Sequence, residues 1–226
     1  MSRFVPYRGP QVVEDQAEGL GEAYFSEMDG RRSVRHFSDR PVPRRLIELA
    51  IRTASTAPSG AHMQPWTFVA VSDPKTKRLI REAAEKEEHA FYTQRAPGPW
   101  IDALAPLGTD WQKPFLERVP WIVVLFAQRY GVSGNGERVK HYYVPESVGI
   151  AAGLFISSLH RMGLSTLTHT PSPMGFLHTL LGRPPNERPF IMFPIGYPAD
   201  DAVVPDLRRK DLAEVAVWHA AEGPED

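Results

Sequence analysis

Two polar side chains stand four residues apart in the segment EEHAFYTQRAPGPW, residues 87–100. On a helix, the Glu88 carboxyl and the Tyr92 hydroxyl would share one face, because residues i and i+4 are neighbours there. The prolines and the glycine that follow argue against regular structure, and residues 93–109 show no clean helical or strand period. A glutamate on a charge-rich helix is usually solvated and a tyrosine usually packs, so the pair alone assigns no function.

Arginines cluster in RRSVRHFSDRPVP, residues 31–43, directly after the end of a predicted helix. The forked guanidinium groups of Arg31, Arg32 and Arg35 match phosphate oxygens, and the Ser33 hydroxyl can add one more donor. PDLRRKDL (205–212) is a second basic cluster, remote in sequence from the first. Either cluster by itself is more typical of a solvated surface.

Two further segments carry donors that could face a ligand. In TASTAPSGAHMQPWTF, residues 53–68, a tight turn is predicted at Pro58–Ala61, where Gly60 would let a planar ligand approach the backbone. A plain connection between a helix and a strand is the alternative for this turn. THTP, residues 168–171, places two hydroxyl groups at the end of a predicted strand.

Helix and strand patterns follow one another irregularly along the chain. Apolar spacing and capping residues predict helices at 14–29, 44–56, 75–92, 110–117, from 146 onward and at 176–182. Apolar runs predict strands at 66–73, 120–128, 164–170 and 190–198, and residues 131–143 are predicted to form a loop. Without strict βαβ alternation, this order favours the α+β class. We predict one domain at 14–213, with an N-terminal arm at 1–13 and a C-terminal tail at 214–226.

The composition is that of an ordinary globular chain of 226 residues, 42% hydrophobic and with a net charge of −1. This charge gives no field that would favour nucleic acid or an anionic membrane. The absence of cysteine excludes disulfides and thiol nucleophiles, and the histidines show no metal-binding spacing. The apolar tract at 120–127 is too short to span a bilayer, and the one at 147–164 contains serines. We therefore expect a soluble, cytoplasmic protein without a metal site.

Two other catalytic patterns are incomplete. Gly134 and Gly136 follow a predicted strand, but the third glycine of a dinucleotide-binding turn is absent. Ser59 and Ser133 lack the full nucleophile-elbow pattern. Neither a Rossmann nicotinamide site nor a serine hydrolase is therefore supported.

The remaining motifs occur together, and in the same order, in one family. RRSVR, TAPSGAH followed by PWTF, HYY (141–143), THTP and PDLRRK resemble the flavin-dependent nitroreductase superfamily and, within it, the iodotyrosine deiodinase family, over residues 29–213. RRS is shared across the superfamily, whereas TAPSGAH with PW, and HYY, are much more specific. The resemblance implies a nitroreductase-like α+β fold, with a central, mostly antiparallel sheet flanked by helices. It also implies a domain-swapped homodimer with FMN at the interface.

FMN is the cofactor that this resemblance implies. The residues that match the family's cofactor-binding positions are Arg31, Arg32, Ser33, Arg35, Pro58, Ser59, Gly60, Thr168, His169, Thr170 and Arg209. The arginines and Ser33 would hold the phosphate and the ribityl chain, and the others would contact or line the flavin. In this family a hydroxyl at the Thr170 position donates to flavin N5 and favours single-electron steps, so Thr170 is a predicted catalytic residue. His169 departs from the small polar residue that is more usual there.

The resemblance also implies a halogenated tyrosine as substrate and reductive loss of halide as the reaction. The family holds the amino-acid end of its substrate with a glutamate, a tyrosine four residues later and a lysine 21 residues after that: here Glu88, Tyr92 and Lys113, called the zwitterion clamp below. Glu88 would bind the substrate ammonium, and Lys113 and Tyr92 its carboxylate. The backbone N–H of Ala61 would donate to the phenolate oxygen, which makes Ala61 a predicted substrate-binding and catalytic position. Residues 93–112 would form a lid over the substrate.

Other functions remain open at this point. A general nitroreductase or quinone reductase of the same fold would take electrons from NAD(P)H, but it would leave the zwitterion clamp without a role. The same objection applies to the flavin-destroying enzyme that makes dimethylbenzimidazole. A flavoprotein that only binds a tyrosine-like ligand is also compatible with the sequence. The electron donor is open as well, either NAD(P)H directly or a separate reductase.

Overall fold

A four-stranded sheet forms the centre of the chain in the computed structural model, which describes residues 4–219. The strands in this part of the chain are β1 (Trp66–Val71), β2 (Trp121–Gln128), β3 (Tyr130–Val132), β4 (Arg138–Lys140), β5 (Ser165–Thr166) and β6 (Glu187–Gly196). The central sheet has the order β1-β2-β6-β5, and every neighbouring pair is antiparallel. The prediction of an α+β fold with a mostly antiparallel sheet is confirmed.

Helices cover both faces of this sheet. They are α1 (Glu14–Asp29), α2 (Arg44–Ala54), α3 (Pro74–Ala90), α4 (Gly98–Leu104), α5 (Phe115–Arg118), α6 (Val144–Arg161), α7 (Gly175–Leu180) and α8 (Leu212–Val215). Among the described residues, no helix has the length and apolar character of a membrane span.

The strand β2 is apolar along most of its length because both of its faces are buried. Val123 and Leu125 belong to a core cluster that also contains Phe155 of α6 and residues of α2. Their neighbours Val124 and Phe126 point the other way, into a cluster with residues of α3, α5 and α7. The long helix α6 and the helix α3 are therefore fixed on opposite sides of the sheet, which sets the positions of the segments that follow each of them.

The predicted loop at 131–143 is wrong in its first part, where β3 and β4 form a hairpin. Tyr130 pairs with Lys140, and the Ser133 N–H donates to the Glu137 carbonyl at 2.9 Å to close the turn. Gly136 has φ +83, a conformation that glycine adopts without strain. The strands are short and polar, so the sequence gives little periodic signal for them.

Two other predicted elements are shorter than expected. The helix predicted at 110–117 begins only at Phe115, because the Asp110 carboxylate accepts from the Gln112 N–H at 2.8 Å and caps a turn instead. The strand predicted at 164–170 pairs continuously with β6 only over β5, and one isolated bridge joins it to β6 again at His169. The next residue of β6 along this ladder is Pro194, which has no N–H to continue it.

The prediction that residues 93–109 lack regular structure is wrong. A π-helical turn at Phe91–Arg95 continues α3, and α4 follows it. Pro97 precedes α4 and Pro99 lies in its first turn, where a missing N–H leaves no hydrogen bond unmade. The same prolines that argue against a long helix are therefore compatible with a short one that begins there.

The chain ends lie partly outside the described residues. Residues 4–13 contain no helix or strand, and the arm predicted at 1–13 otherwise falls on undescribed residues. The helix α8 crosses the predicted boundary between domain and tail at 213 and 214, and residues 220–226 of that tail are not described. The predicted division into arm, domain and tail stays a prediction.

Candidate active site

The two basic clusters meet in space. Arg31 and Arg32 follow α1, and the Arg209 guanidinium donates both to Asp29 Oδ1 and to the Arg31 carbonyl at 2.7 Å. The Arg32 guanidinium donates to the Pro205 carbonyl, which ties the two segments together a second time. The cavity between them, of about 290 Å³, is lined by Arg31, Arg32, Ser33, Arg35, Leu107, Val204, Pro205, Leu207, Arg208 and Arg209.

Positive charge is concentrated in this cavity. Burial lowers the pKa of Arg31, and the nearby charges of Arg209 and Arg32 lower it further. Arg209 pairs with Asp29, whereas Arg31 forms no ion pair with any residue between 4 and 219. Several guanidinium groups and a hydroxyl around one small cavity are the donor set that a dianionic phosphate requires. The residues present therefore fit the phosphate of FMN.

A larger cavity, of about 440 Å³, lies next to the first and shares Arg35 with it. The residues that line it are Arg35, Glu88, Phe91, Tyr92, Trp100, Leu104, Thr109, Lys113, Phe115, Leu167, Thr168, His169, Thr170 and Ser172. Apart from Arg35 and Phe115, they come from the end of α3, from the segment between α3 and α5, and from the segment after β5. The structure thus brings the zwitterion clamp and the predicted flavin-lining threonines into one cavity.

The zwitterion clamp is a buried arrangement of opposite charges. Lys113 Nζ lies 3.6 Å from Glu88 Oε2, and their side chains are 4% and 14% exposed. The Lys113 ammonium also donates to the Asp110 carbonyl and, at 3.2 Å, to Thr109 Oγ1. The backbone positions Lys113, because its N–H donates to Glu85 Oε1 of α3 at 2.7 Å.

Burial opposes both charges of this pair. Desolvation raises the pKa of Glu88, although the Lys113 charge acts in the other direction. Desolvation likewise lowers the pKa of Lys113, although Glu88 and Asp110 counteract it. Each group would be stabilised in its charged form by a further ion of opposite sign, and a zwitterionic amino acid offers both.

Tyr92 reaches the cavity from the π-helical turn. Its hydroxyl donates to the Thr109 carbonyl at 3.3 Å, and its ring centroid lies 5.9 Å from Lys113 Nζ. Burial and the nearby Glu88 carboxylate raise the pKa of Tyr92, so the phenol remains a hydrogen-bond donor at neutral pH. Irregular turns of the π type are frequent at functional sites. The sequence predicted the shared face of Glu88 and Tyr92 but gave no signal for this turn.

The strip Thr168–Thr170 does not present all three side chains to the same side. Thr168 and Thr170 are exposed, whereas His169 is buried. The His169 N–H donates to the Met192 carbonyl at 2.8 Å, and Met192 returns the bond at 3.0 Å, so the strip has strand-like alternation. The two threonine hydroxyls remain suited to line a flavin. The same alternation turns the His169 side chain to the side opposite the two hydroxyls, and its role beside the flavin stays a prediction.

The turn Pro58–Ala61 lines neither of these two cavities. Gly60 is required there, because a Cβ at this position would lie 2.4 Å from the Tyr142 carbonyl oxygen. Ala61 has φ 49, a left-handed conformation that costs free energy in a residue other than glycine. Among the described residues, no acceptor takes the backbone N–H of Ala61, and the residue is exposed. The turn therefore presents a free backbone donor, at a distance from the clamp of the same chain.

Several lining residues escaped the sequence reasoning. Phe91, Leu104 and Phe115 give the larger cavity its apolar walls, and Ser172 adds a hydroxyl. Apolar residues at helical or irregular spacing are far more often core residues, so the sequence offered no signal for these positions.

Comparison with known proteins gives this geometry a family. Residues 28–197 match the model of the nitroreductase family. The iodotyrosine deiodinase of Haliscomenobacter hydrossis is 54% identical over 214 residues, which cover 95% of this chain and 96% of that protein. This chain belongs to the iodotyrosine deiodinase branch of the nitroreductase family. The human family member, iodotyrosine deiodinase 1, is 41% identical over 94% of this chain and 74% of its own length.

A solved structure of the same branch supports the assignment. It is the oxidised iodotyrosine deiodinase bound to FMN and 3-iodo-L-tyrosine, with a TM-score of 0.77 and 28% identity over 88% of this chain and 99% of that chain. A BluB-like flavoprotein from Clostridium difficile, at 19% identity and a TM-score of 0.66, shares the fold. The nitroreductase-like fold predicted from the sequence is confirmed.

Proposed function

We propose that this chain is an FMN-dependent reductive dehalogenase that converts halogenated tyrosine into tyrosine and halide. The observation that carries the proposal is the zwitterion clamp: Glu88, Tyr92 and Lys113 meet in one cavity, together with Thr168 and Thr170. Nitroarenes and quinones have no amino-acid end, so a reductase for such substrates would have no use for a buried carboxylate beside a buried ammonium. The family relatives, which are iodotyrosine deiodinases, support the same substrate class.

The chain would orient the substrate from both ends. The Glu88 carboxylate would accept from the substrate ammonium, and Lys113 and the Tyr92 hydroxyl would donate to its carboxylate. The free N–H of Ala61 would donate to the phenolate oxygen and hold negative charge there. A proton added at the halogen-bearing carbon then gives a non-aromatic ketone. Two electrons break the carbon–halogen bond, and the halide leaves with the bonding pair.

Bound FMN would supply those two electrons. Arg31, Arg32, Ser33 and Arg209 would hold its phosphate in the smaller cavity, and Arg35 would reach the ring from the place where the two cavities join. The exposed Thr170 would direct its hydroxyl donor to flavin N5. Residues 93–112 would close over the substrate and exclude water, which strengthens the clamp interactions. The electrons would come from NAD(P)H, directly or through a separate reductase.

We further propose that the working unit is a homodimer. The turn Pro58–Ala61 lines neither cavity of its own chain, so a second copy would have to supply it to the site. Exposed apolar side chains on α1, such as Leu20 and Phe25, and Phe4 of the preceding segment are suited to such an interface. The exchange of terminal extensions between subunits is part of this proposal.

The deciding experiment is anaerobic. The FMN-loaded protein is reduced, 3-iodo-L-tyrosine is added, and flavin reoxidation is followed together with the release of iodide. We expect one iodide for each flavin that is reoxidised. Reoxidation by nitroarenes but not by iodotyrosine would instead assign the chain to the general nitroreductases, and tight binding without iodide release would make it a binding protein.

A further inference from the structure

The imidazole of His169 is a buried polar group for which the proposed function gives no role. The residue is 7% exposed, and its Nε2 is, among the residues that the structure describes, the one buried side-chain nitrogen or oxygen without a hydrogen-bond partner. Buried polar atoms are almost always paired, so an unpaired one calls for a specific explanation.

The backbone decides which partner the ring can find. Because His169 is bonded to Met192 on both of its backbone polar groups, the ring faces the opposite side from the Thr168 and Thr170 hydroxyls. It stands at an edge-to-face angle of 80° against Phe115, with 6.2 Å between the ring centroids. His169 is also among the residues that line the cavity of the zwitterion clamp, as is Phe115. A partner from this cavity is therefore the one that the ring can find.

The surroundings keep the imidazole neutral. Burial, the Lys113 charge and the Arg35 charge lower the pKa of His169 to about 3. A neutral imidazole has one nitrogen lone pair that accepts a hydrogen bond, and a neighbouring cation favours the tautomer that turns this lone pair towards it. Lys113 supplies such a cation.

The partners of Lys113 change when a substrate arrives. An ammonium group has three N–H donors, and here they face the Asp110 carbonyl, Thr109 Oγ1 and, at the long distance of 3.6 Å, Glu88 Oε2. Of these acceptors, Glu88 is the one that the substrate ammonium would engage. The N–H that faced Glu88 then turns to the substrate carboxylate, and the N–H on the longer of the two remaining bonds, the one to Thr109 Oγ1 at 3.2 Å, is the donor that a further acceptor would take.

We propose that His169 Nε2 accepts a hydrogen bond from Lys113 in the substrate complex and aims the ammonium at the substrate carboxylate. His169 is thus a positioning residue that acts through Lys113 and not through the flavin. The inference rests on the proposed function, because it is the zwitterionic substrate that displaces Lys113 from Glu88.

The first test compares two variants and two ligands. His169→Phe removes the acceptor but keeps a ring, and His169→Gln keeps an acceptor. Dissociation constants are measured from the quenching of flavin fluorescence, with 3-iodo-L-tyrosine and with 3-iodotyramine, which lacks the carboxylate. We expect His169→Phe to weaken iodotyrosine binding about tenfold, the effect of one hydrogen bond to a charged group. Iodotyramine binding should not change, and His169→Gln should bind iodotyrosine nearly as the unaltered protein does.

The second test shows whether His169 acts through Lys113. In a Lys113→Met background, His169→Phe should have no further effect on iodotyrosine binding. The dependence of iodotyrosine affinity on pH gives an independent measurement, because it reports the ionisation of Lys113. Lys113 faces His169 and, in addition, the ionisable groups of Glu88, Tyr92, Asp110 and Arg35. Without the neutral acceptor, the pKa of Lys113 should fall further, so iodotyrosine affinity should be lost at a lower pH on the alkaline side. A purely structural defect would not shift this pH.

Each failure has its own signature. Equal weakening of iodotyrosine and iodotyramine, or an effect of His169→Phe that persists without Lys113, would overturn the role of His169 and leave the proposed function standing. If the unaltered protein neither binds iodotyrosine nor releases iodide, the proposed function fails, and the inference with it. Should His169→Phe not fold, His169→Leu removes the same acceptor from the core and is measured in its place.

Discussion

At the scale of single residues, the zwitterion clamp places two opposite charges where burial opposes both. Glu88 and Lys113 are separated by 3.6 Å, a distance that leaves their pairing incomplete. A buried ion pair of this kind contributes little to stability by itself, because desolvation offsets the attraction between the charges. A substrate that carries both charges would stabilise each partner at the same time, which would make the clamp selective for an amino acid over a simple phenol.

We expect the affinity for 3-iodo-L-tyrosine to fall at both ends of the pH range. Burial raises the pKa of Glu88 above its ordinary 4.5, and ammonium binding needs the ionised carboxylate, so affinity falls as the pH drops through this raised pKa. Burial lowers the pKa of Lys113 below its ordinary 10.5, and carboxylate binding needs the ammonium, so affinity falls again as the pH rises through this lowered pKa. Calorimetric titration at a series of pH values gives the profile.

The variant Glu88→Gln isolates the acid limb of that profile. It should weaken binding by roughly 10- to 100-fold near pH 7, as expected for the loss of one partner of a buried charge pair. The loss of affinity at low pH that is due to protonation of Glu88 should be absent in this variant. Glu82→Gln, at an exposed position on the same helix, is the matched control and should leave the profile unchanged. An acid limb that is identical in Glu88→Gln would mean that another group binds the ammonium.

The residues of the site were predictable to different degrees. The spacing of Glu88 and Tyr92 gave their shared face directly, because both lie on one helical segment. Lys113 came from the family resemblance alone, since its distance to Glu88 depends on the path of the chain between them. The burial of the His169 side chain depends on the backbone bridge to Met192, a long-range contact that cannot be predicted from local sequence patterns.

At the scale of elements, periodicity succeeded where helices are long and packed on one face. The helix α2 begins after Pro43 as predicted, because its apolar residues repeat at helical spacing and pack against the sheet. The short helix α4 escaped prediction, since a helix of one or two turns is not stable by propensity alone. The helix α4 has tertiary support, with the Phe91 and Trp100 rings 5.1 Å apart in an edge contact. The sequence shows both rings but not their contact.

The segment 93–112 is therefore partly helical, and its role as a lid over the substrate stays a prediction. Trp100 lines the larger cavity and yet is 55% exposed, so a ligand there would cover it further. We expect 3-iodo-L-tyrosine to slow tryptic cleavage at Arg95 several-fold, because cleavage requires local opening of this segment. Cleavage at Arg138 in the exposed β3–β4 hairpin is the internal control and should keep its rate. Equal cleavage rates at Arg95 with and without the ligand would rule out a lid that responds to substrate.

At the scale of the whole molecule, the turn that carries the Ala61 donor lies apart from the two cavities of its own chain. The clamp and the basic cavity adjoin each other through Arg35, whereas the Ala61 donor belongs to a turn held by the start of α6. The proposed symmetric dimer would resolve this separation, because a two-fold interface would present the same turn to each partner. Leu20 and Phe25 on α1 are 56% and 70% exposed, an unfavourable position for apolar side chains in a monomer.

Subunit complementation tests this arrangement. At a substrate concentration well below its dissociation constant, Glu88→Gln should leave little activity, and Gly60→Ala should disrupt the turn because the added Cβ would meet the Tyr142 carbonyl oxygen at 2.4 Å. If the turn serves the partner's site, a mixed dimer of the two variants has one site with both defects and one intact site. Co-refolding equal amounts should then restore about a quarter of the dehalogenase activity, since about half of the dimers are mixed and each keeps one site. If the turn instead served its own chain, every mixed dimer would carry one defect in each site, and mixing would restore nothing.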